Sequence, residues 1–183
     1  MLKKIERAQQ LLKKEAAVFR CPTCHEPMHV EGVGLICQQR HQFDLSKKGT
    51  LYFLNHGVQT EYNKKMFTSR GKMIQSGMYA PVLNKIMHYL PQNKTVVDVG
   101  CGEGSFLAEL SQAGLSGLKI GFDLSKEGIY LASNQPIDAF WCVADLTNLP
   151  FANEGLDTIL NIFSPSHYQE FRRVLKADGT VIK

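Results

Sequence analysis

Apolar residues recur at positions 2, 5, 8, 11, 12, 16 and 19, with Lys and Arg between them. That spacing predicts an amphipathic helix over residues 2–19. Residues 20–56 lose the helical period and are short-ranged and turn-rich, which predicts a small separate module. The helical period returns over residues 57–93, where helices are expected at 59–76 and 80–90. Pro81 is tolerated in the first turn of the second helix. After residue 93 the texture alternates. Strands are expected at 95–99, 118–122, 139–143, 156–161 and from 180 onward, with helices at 105–113, 126–133 and 166–175. Gly114, Gly155 and Gly179 mark junctions between them. Strands alternating with helices of this length predict an α/β fold built of βαβ units, with a mostly parallel sheet and helices on both faces. Four segments result: an N-terminal helix (1–20), a small module (21–56), a basic helical linker (57–93) and an α/β domain (94–183). There is no internal repeat. The sequence stops at Lys183 inside an apparent strand, so the sheet is expected to lack its C-terminal strands and the chain to be part of a longer protein.

Composition narrows the class. The 183 residues are 44% apolar, 21% charged and 9% aromatic, which excludes collagen-like, low-complexity and disulfide-dense chains. No run of about 18 uninterrupted apolar residues is present, so a transmembrane helix is not expected. The N-terminus lacks the apolar stretch of a secretory signal, and a cytoplasmic protein is the expectation. Net charge is +4, but it is unevenly placed. Residues 1–94 carry 15 Lys/Arg against 6 Asp/Glu, whereas residues 95–183 carry 6 against 11. A basic half joined to an acidic one suggests that the first faces a polyanion such as nucleic acid.

The cysteines are unevenly placed too. Cys21 and Cys24 form a C-x-x-C knuckle, and Cys37 and His41 follow as a second pair. Two close pairs joined by a short hairpin supply the tetrahedral donor set of zinc. A module of this size cannot build an adequate hydrophobic core, so the metal would contribute folding free energy on the order of 10 kcal/mol. Four closed ligands leave no place for water, which makes the expected site structural. His25 or His29 could replace His41, and a thioredoxin-like redox pair is the competing explanation. Cys101 and Cys142 stand alone in the α/β half and are expected to be buried small hydrophobes.

The sharpest signal is Val96-Val97-Asp98-Val99-Gly100-Cys101-Gly102-Glu103-Gly104-Ser105, an apolar strand that runs through a glycine loop into a helix. Glycines permit positive φ and close approach of a ligand to the backbone, at the carboxyl end of the first strand. The spacing is G-x-G-x-G rather than the dinucleotide G-x-G-x-x-G, and no phosphate-loop Lys follows. Asp98 would repel a pyrophosphate but suits a ligand bearing an ammonium and a sulfonium. Asp123 closes the second strand, where an acid can accept both hydroxyls of a ribose. The pattern resembles motif I of the class I S-adenosylmethionine-dependent methyltransferases, a Rossmann-like fold.

Taken with the knuckles, the chain resembles a narrower group, the 23S ribosomal RNA guanine-N1 methyltransferases. The matching segments are Cys21-Pro22-Thr23-Cys24, Cys37-Gln38-Gln39-Arg40-His41-Gln42-Phe43, Arg70 with Gly77-Met78-Tyr79-Ala80-Pro81, the loop from Asp98 to Gly104, and Asn148-Leu149-Pro150-Phe151. Lys176-Ala177-Asp178-Gly179 departs from the group's usual Lys-Pro-Gly-Gly turn.

This resemblance implies methyl transfer from S-adenosylmethionine to N1 of a guanosine in a hairpin of 23S rRNA. The zinc module would help recognise the hairpin. Tyr79, Asp98, Gly100, Cys101, Gly102, Glu103, Gly104, Asp123, Ala144 and Asp145 would form the cofactor site, with Asp145 near the adenine. Asn161-Ile162-Phe163-Ser164-Pro165 would border the target base, which Asn161 could orient, while no general base can be named. Guanine N1 is buried in Watson–Crick pairing, so the base must be unpaired or flipped. Lys47, Lys48, Lys64, Lys65, Arg70 and Lys72 are the expected phosphate contacts. A chain lacking its C-terminal strands is expected to bind the cofactor weakly and to be inactive. A homodimer is compatible with this sequence. Two alternatives remain: a methyltransferase acting on a small molecule or protein, and a nonenzymatic RNA-binding protein with a degenerate methyltransferase fold.

Overall fold

The computed structural model describes residues 2–55, 57–58 and 61–183. The expected helix start at residue 59 and module end at residue 56 lie outside the described residues. The first helix, α1 (Lys4–Glu15), starts where the backbone N–H of Lys3 donates to Glu6 at 2.7 Å, and it ends in a 3-10 turn at Ala16–Val18. Ala8 and Leu12 are the buried part of its apolar stripe. Next come β1 (Met28–Glu31), β2 (Gly34–Cys37) and β3 (Gln42–Asp44), an antiparallel three-stranded sheet in that order. A short strand, β4 (Thr50–Tyr52), leaves this module.

The helix α2 (Lys64–Gln75) is capped by Asn63, whose side chain accepts the Met66 N–H at 3.0 Å, and α3 (Ala80–Tyr89) carries Pro81 in its first turn. The remaining elements alternate as expected: β5 (Val96–Val99), α4 (Ser105–Gln112), β6 (Lys119–Asp123), α5 (Lys126–Ala132), β7 (Phe140–Val143), β8 (Leu156–Leu160), α6 (Tyr168–Val174) and β9 (Leu175–Ile182). Every residue of β5, β7 and β8 is buried, as strands covered on both faces require.

Six parallel strands run in the order β4-β7-β6-β5-β8-β9. Two outcomes differ from the sequence expectation. The edge strand β4 comes from the small module and pairs with β7, Leu51 opposite Cys142, so the module shares a sheet with the α/β half. At the other edge β9 starts at Leu175, five residues earlier than expected. α6 stops at Val174, and Leu175 already pairs with Leu156 before a register shift restores Thr158 opposite Thr180.

The two faces of the sheet are covered differently. Ile74 of α2, together with α3, α4 and α5, packs on the face to which Val96 and Trp141 point. On the opposite face, where Val97, Val99 and Phe122 point, the cover is α1, the three-stranded module and α6. The module thus takes the place expected for a helix. Phe19 joins the parts, with its ring 5.6 Å from Phe53, 5.1 Å from Phe140 and 5.9 Å from Phe151. At roughly 1.5–3 kcal/mol for each fully buried Phe, these rings fasten the module to the sheet. Among the described residues, no helix is long and apolar enough to cross a membrane.

Candidate metal centre and candidate active site

The four ligand atoms offered by Cys21, Cys24, Cys37 and His41 all lie within 4.8 Å of one another. His41 turns Nδ1 inward, 3.5 Å from Cys21 Sγ and 3.4 Å from Cys37 Sγ, while Cys24 Sγ is 3.5 Å from Cys37 Sγ. Each pair sits on a tight turn. The N–H of His25 donates to Cys21 O at 2.9 Å, and the N–H of Arg40 donates to Cys37 O at 2.9 Å. Both turns end on a non-glycine residue at positive φ, +65° for His25 and +64° for Arg40. His25 thus shapes the first turn, and neither it nor His29 joins the cluster. Three thiolates and an imidazole suit zinc, and the closed set makes the site structural. Cys101 and Cys142 are buried outside this ligand cluster, and burial holds both thiols well above their ordinary pKa.

In the glycine loop after β5, the backbone N–H of Gly102 donates to Asp123 Oδ2 at 2.9 Å, and that of Ser125 donates to Asp123 Oδ1 at 2.7 Å. Gly100 (φ +69°) faces Ser164, which a Cβ would meet at 2.6 Å; at Gly102 (φ +57°) a Cβ would run into Arg70 Nη1. Neither position can accept a side chain without displacing that neighbour. Asp98 is wholly enclosed beneath the loop. Burial raises its pKa to about 7, Arg70 opposes the shift, and Asp123 and Glu103 add to it. Burial also raises Asp123, against the pull of the Ser125 and Gly102 N–H groups. Both carboxylate oxygens of Glu103 are buried without a hydrogen-bond partner among the described residues, and Arg70 Nη1 lies 3.7 Å away.

A cavity of about 490 Å³ lies at the carboxyl ends of β5, β6 and β7. Of the sequence-predicted cofactor residues, Tyr79, Gly100, Asp123, Ala144 and Asp145 line it. Asp98, Cys101, Gly102, Glu103 and Gly104 are not among its lining residues. Asp145 Oδ1 also caps a turn, accepting Thr147 N and Oγ1, each at 2.8 Å.

Two residues are placed differently from the sequence expectation. Asn161 is fully buried and does not line the cavity; its Nδ2 donates to Ser164 Oγ at 2.6 Å and Pro165 O at 2.9 Å. It builds the loop after β8 and has no amide left to orient a base. Arg70 lines the cavity instead of the outer basic surface, whereas Lys64, Lys65 and Lys72 of the same helix are exposed. Met66 and Phe67 of α2 line the cavity with it, a face legible as helical spacing but not singled out from the sequence. Phe163 was also missed as an individual residue. It stands at φ +58° and is 74% exposed, its ring 5.7 Å from Tyr79.

Comparison with known proteins matches residues 19–55 to the family described as RlmA, N-terminal, a zinc ribbon, and residues 96–179 to the methyltransferase domain. The chain thus joins a segment similar to the RlmA zinc ribbon to a segment similar to the methyltransferase domain. It is 41% identical over 179 residues, 91% of its length, to YxjB of Bacillus subtilis, whose assignment as a 23S rRNA (guanine-N1)-methyltransferase is provisional. It is 27% identical over 178 residues to the 23S rRNA (guanine(748)-N1)-methyltransferase of Streptomyces fradiae. The chain spans 64% of the length of each of these relatives. A crystal structure of an S-adenosylmethionine-dependent methyltransferase from Aquifex aeolicus shares the fold, with a TM-score of 0.52 at 19% identity over 63% of this chain and 69% of that one.

The cavity has the size and chemistry of a small-molecule site. Its volume falls in the range of about 300–1,000 Å³ usual for such sites, and it offers carboxylates for hydroxyls, the Arg70 guanidinium for a carboxylate and aromatic rings for an apolar or cationic group. All four metal-cluster residues fall inside the matched zinc ribbon.

Proposed function

We propose that the protein transfers a methyl group from S-adenosylmethionine to N1 of a guanosine in a hairpin of 23S rRNA. The observation that carries this is the continuous similarity to 23S rRNA guanine-N1 methyltransferases across ribbon, linker and methyltransferase domain together. The cofactor, when bound, supplies an activated methyl group on a sulfonium. The protein's part is then mainly alignment and exclusion of water. Asp123 and Asp145 accept hydroxyl and amino groups of the nucleoside half. Arg70, paired with Glu103, would hold the carboxylate of the amino-acid half, and Asp98, enclosed outside the cavity lining, would act on its ammonium only through the loop above it. Phe163 and Tyr79 offer a ring surface on which a flipped guanine stacks beside the transferred methyl. Transfer would break the bond from the methyl carbon to the sulfonium sulfur, leaving a neutral thioether, and the N1 proton would leave to solvent or to a group of the RNA.

Cytoplasmic rRNA is the partner in this proposal, whether the protein acts as a monomer or a homodimer. The test uses the full-length protein, labelled cofactor, and 23S rRNA hairpin transcripts beside small-molecule and protein acceptors. Label in the hairpin, with a reverse-transcription stop at one guanosine, supports the proposal. Label only in the small acceptors moves the protein to another substrate class, and RNA binding without cofactor binding makes it a nonenzymatic RNA-binding protein.

A further inference from the structure

Outside the cavity lining, the β4 edge and α5 carry an interleaved row of cations and rings. Lys126 and Tyr130 stand one turn apart on α5, so they share a face. The Lys126 ammonium lies 5.8 Å from the centre of the Tyr52 ring, at the end of β4. The Lys48 ammonium, just before β4, lies 5.1 Å from the centre of the Tyr130 ring. Cation and ring therefore alternate along the helix and again across to the strand. The row continues onto α1, because Lys48 and Gly49 line a small cavity of about 40 Å³ together with Lys4 and Arg7.

Acidic side chains do little to offset this charge. Asp138 pairs with Arg7 at 3.7 Å, and Glu6 accepts the Lys3 backbone N–H. Glu127 follows Lys126 on α5. Among the described residues, Lys4, Lys48 and Lys126 have no carboxylate within ion-pair distance. Lys4 is fixed in place by Ser133 O at 2.6 Å and Asn134 Oδ1 at 2.7 Å, and burial together with Lys48 and Arg7 lowers its pKa. Grouped like charges are costly until a polyanion neutralises them. A merely solvated surface accounts for the lysines, but not for Tyr130 standing 50% exposed beneath one of them.

We infer that Lys126, Tyr52, Tyr130, Lys48, Lys4 and Arg7 form a track for the RNA strand flanking the target nucleotide. This rests on the RNA methyltransferase proposal above. The track starts near the cavity mouth, since Lys126 opens α5 three residues after the cavity-lining Asp123. It then descends the β4 edge to α1. Ammonium and guanidinium groups contact successive phosphates, and the tyrosines stack on unpaired bases or riboses. The ring contacts tolerate any base, so the track supplies affinity and direction while the cavity supplies base choice.

The experiment measures binding of the full-length protein to a 23S rRNA hairpin and to an unrelated hairpin over a series of salt concentrations. Wild type is compared with the pair Lys48→Glu/Lys126→Glu, with the milder pair Lys48→Gln/Lys126→Gln, and with Tyr130→Ala. The glutamate pair is expected to weaken binding to both hairpins at least about tenfold and to reduce the salt slope by about 1.5. The glutamine pair should fall between, with cofactor affinity and melting temperature unchanged. RNA affinity and salt slope equal to wild type in a folded variant would overturn the track. So would a changed oligomeric state with unchanged RNA binding, which would make this face an interface between copies. Normal methylation of the hairpin by the glutamate pair also removes the track and leaves the enzymatic proposal standing. Salt-dependent RNA binding lost in the variants, from a wild type that transfers no methyl group, does the reverse.

Discussion

Arg70 occupies the space that a side chain on Gly102 would need, and it does so while standing 3.7 Å from the Glu103 carboxylate. The helix α2 is thereby keyed to the glycine loop through one guanidinium. Gly102→Ala asks an L-residue to hold φ +57° and to displace Arg70. The conformational cost alone is about 1–2 kcal/mol. Cofactor affinity, measured by calorimetry on the full-length protein, should fall at least about tenfold. Unchanged affinity would separate the loop from cofactor binding.

The ribbon depends on its metal. Cys37→Ser, or a strong chelator, should remove one equivalent of zinc and lower the melting temperature sharply, because structural zinc contributes on the order of 10 kcal/mol to folding. Metal content by atomic emission, with calorimetric melting of the same samples, checks this. Full zinc content in the variant would exclude Cys37 as a ligand.

Asp98 gives the fold a pH dependence. Its pKa is about 7 in the folded chain, against about 3.9 when unfolded. The folded chain therefore keeps a proton that the unfolded chain has lost. This contribution is fully present below about pH 4, declines as pH rises towards 7, and is flat above. Asp98→Asn removes the decline, so urea unfolding should show the variant gaining stability over wild type between pH 5.5 and 8. A difference that does not change with pH would mean that Asp98 is ionised throughout.

Arg173 ties α6 to the segment after β7. It donates to Phe151 O at 2.8 Å, Leu149 O at 3.0 Å and Glu170 Oε2 at 2.6 Å, while Glu170 Oε2 also accepts the Leu149 N–H at 2.7 Å. Arg173→Ala leaves a buried carboxylate and two carbonyls short of a donor. The loss should be about 3–5 kcal/mol in chemical denaturation. A loss below about 1 kcal/mol would show that water replaces the guanidinium.

Phe163 tests the ring surface at the cavity mouth. A bulky residue held at positive φ and 74% exposed stores strain without burying much area. Phe163→Ala should leave the melting temperature almost unchanged and lower methyl transfer to the hairpin at least about tenfold. Equal transfer rates would remove Phe163 from base recognition.

The legible parts of the molecule were those governed by local chemistry. Cys21, Cys24, Cys37 and His41 announce a ligand set by spacing alone, and Asp98 to Gly104 announces a loop that only glycines can make. What remained hidden was set by partners distant in sequence. The three residues of β4 show no strand pattern of their own; they become a strand because Cys142 and its neighbours lie beside them. Asn161 is a polar residue at the end of a strand, where the sequence cannot tell a substrate contact from a scaffold. The structure resolves this through Ser164 and Pro165, which take up its amide. Arg70 sits among lysines in the sequence, and only the helical turn that aims it at Gly102 removes it from the outer surface.

Because β4 belongs to the ribbon by sequence and to the parallel sheet by pairing, the two halves cannot be exchanged between relatives as independent cassettes. A chimera joined between Leu45 and Thr50 would graft foreign zinc knuckles while keeping the native edge strand. One joined after Tyr52 would import that strand as well, and the incoming residues would have to suit Trp141, Cys142 and Val143 of the recipient.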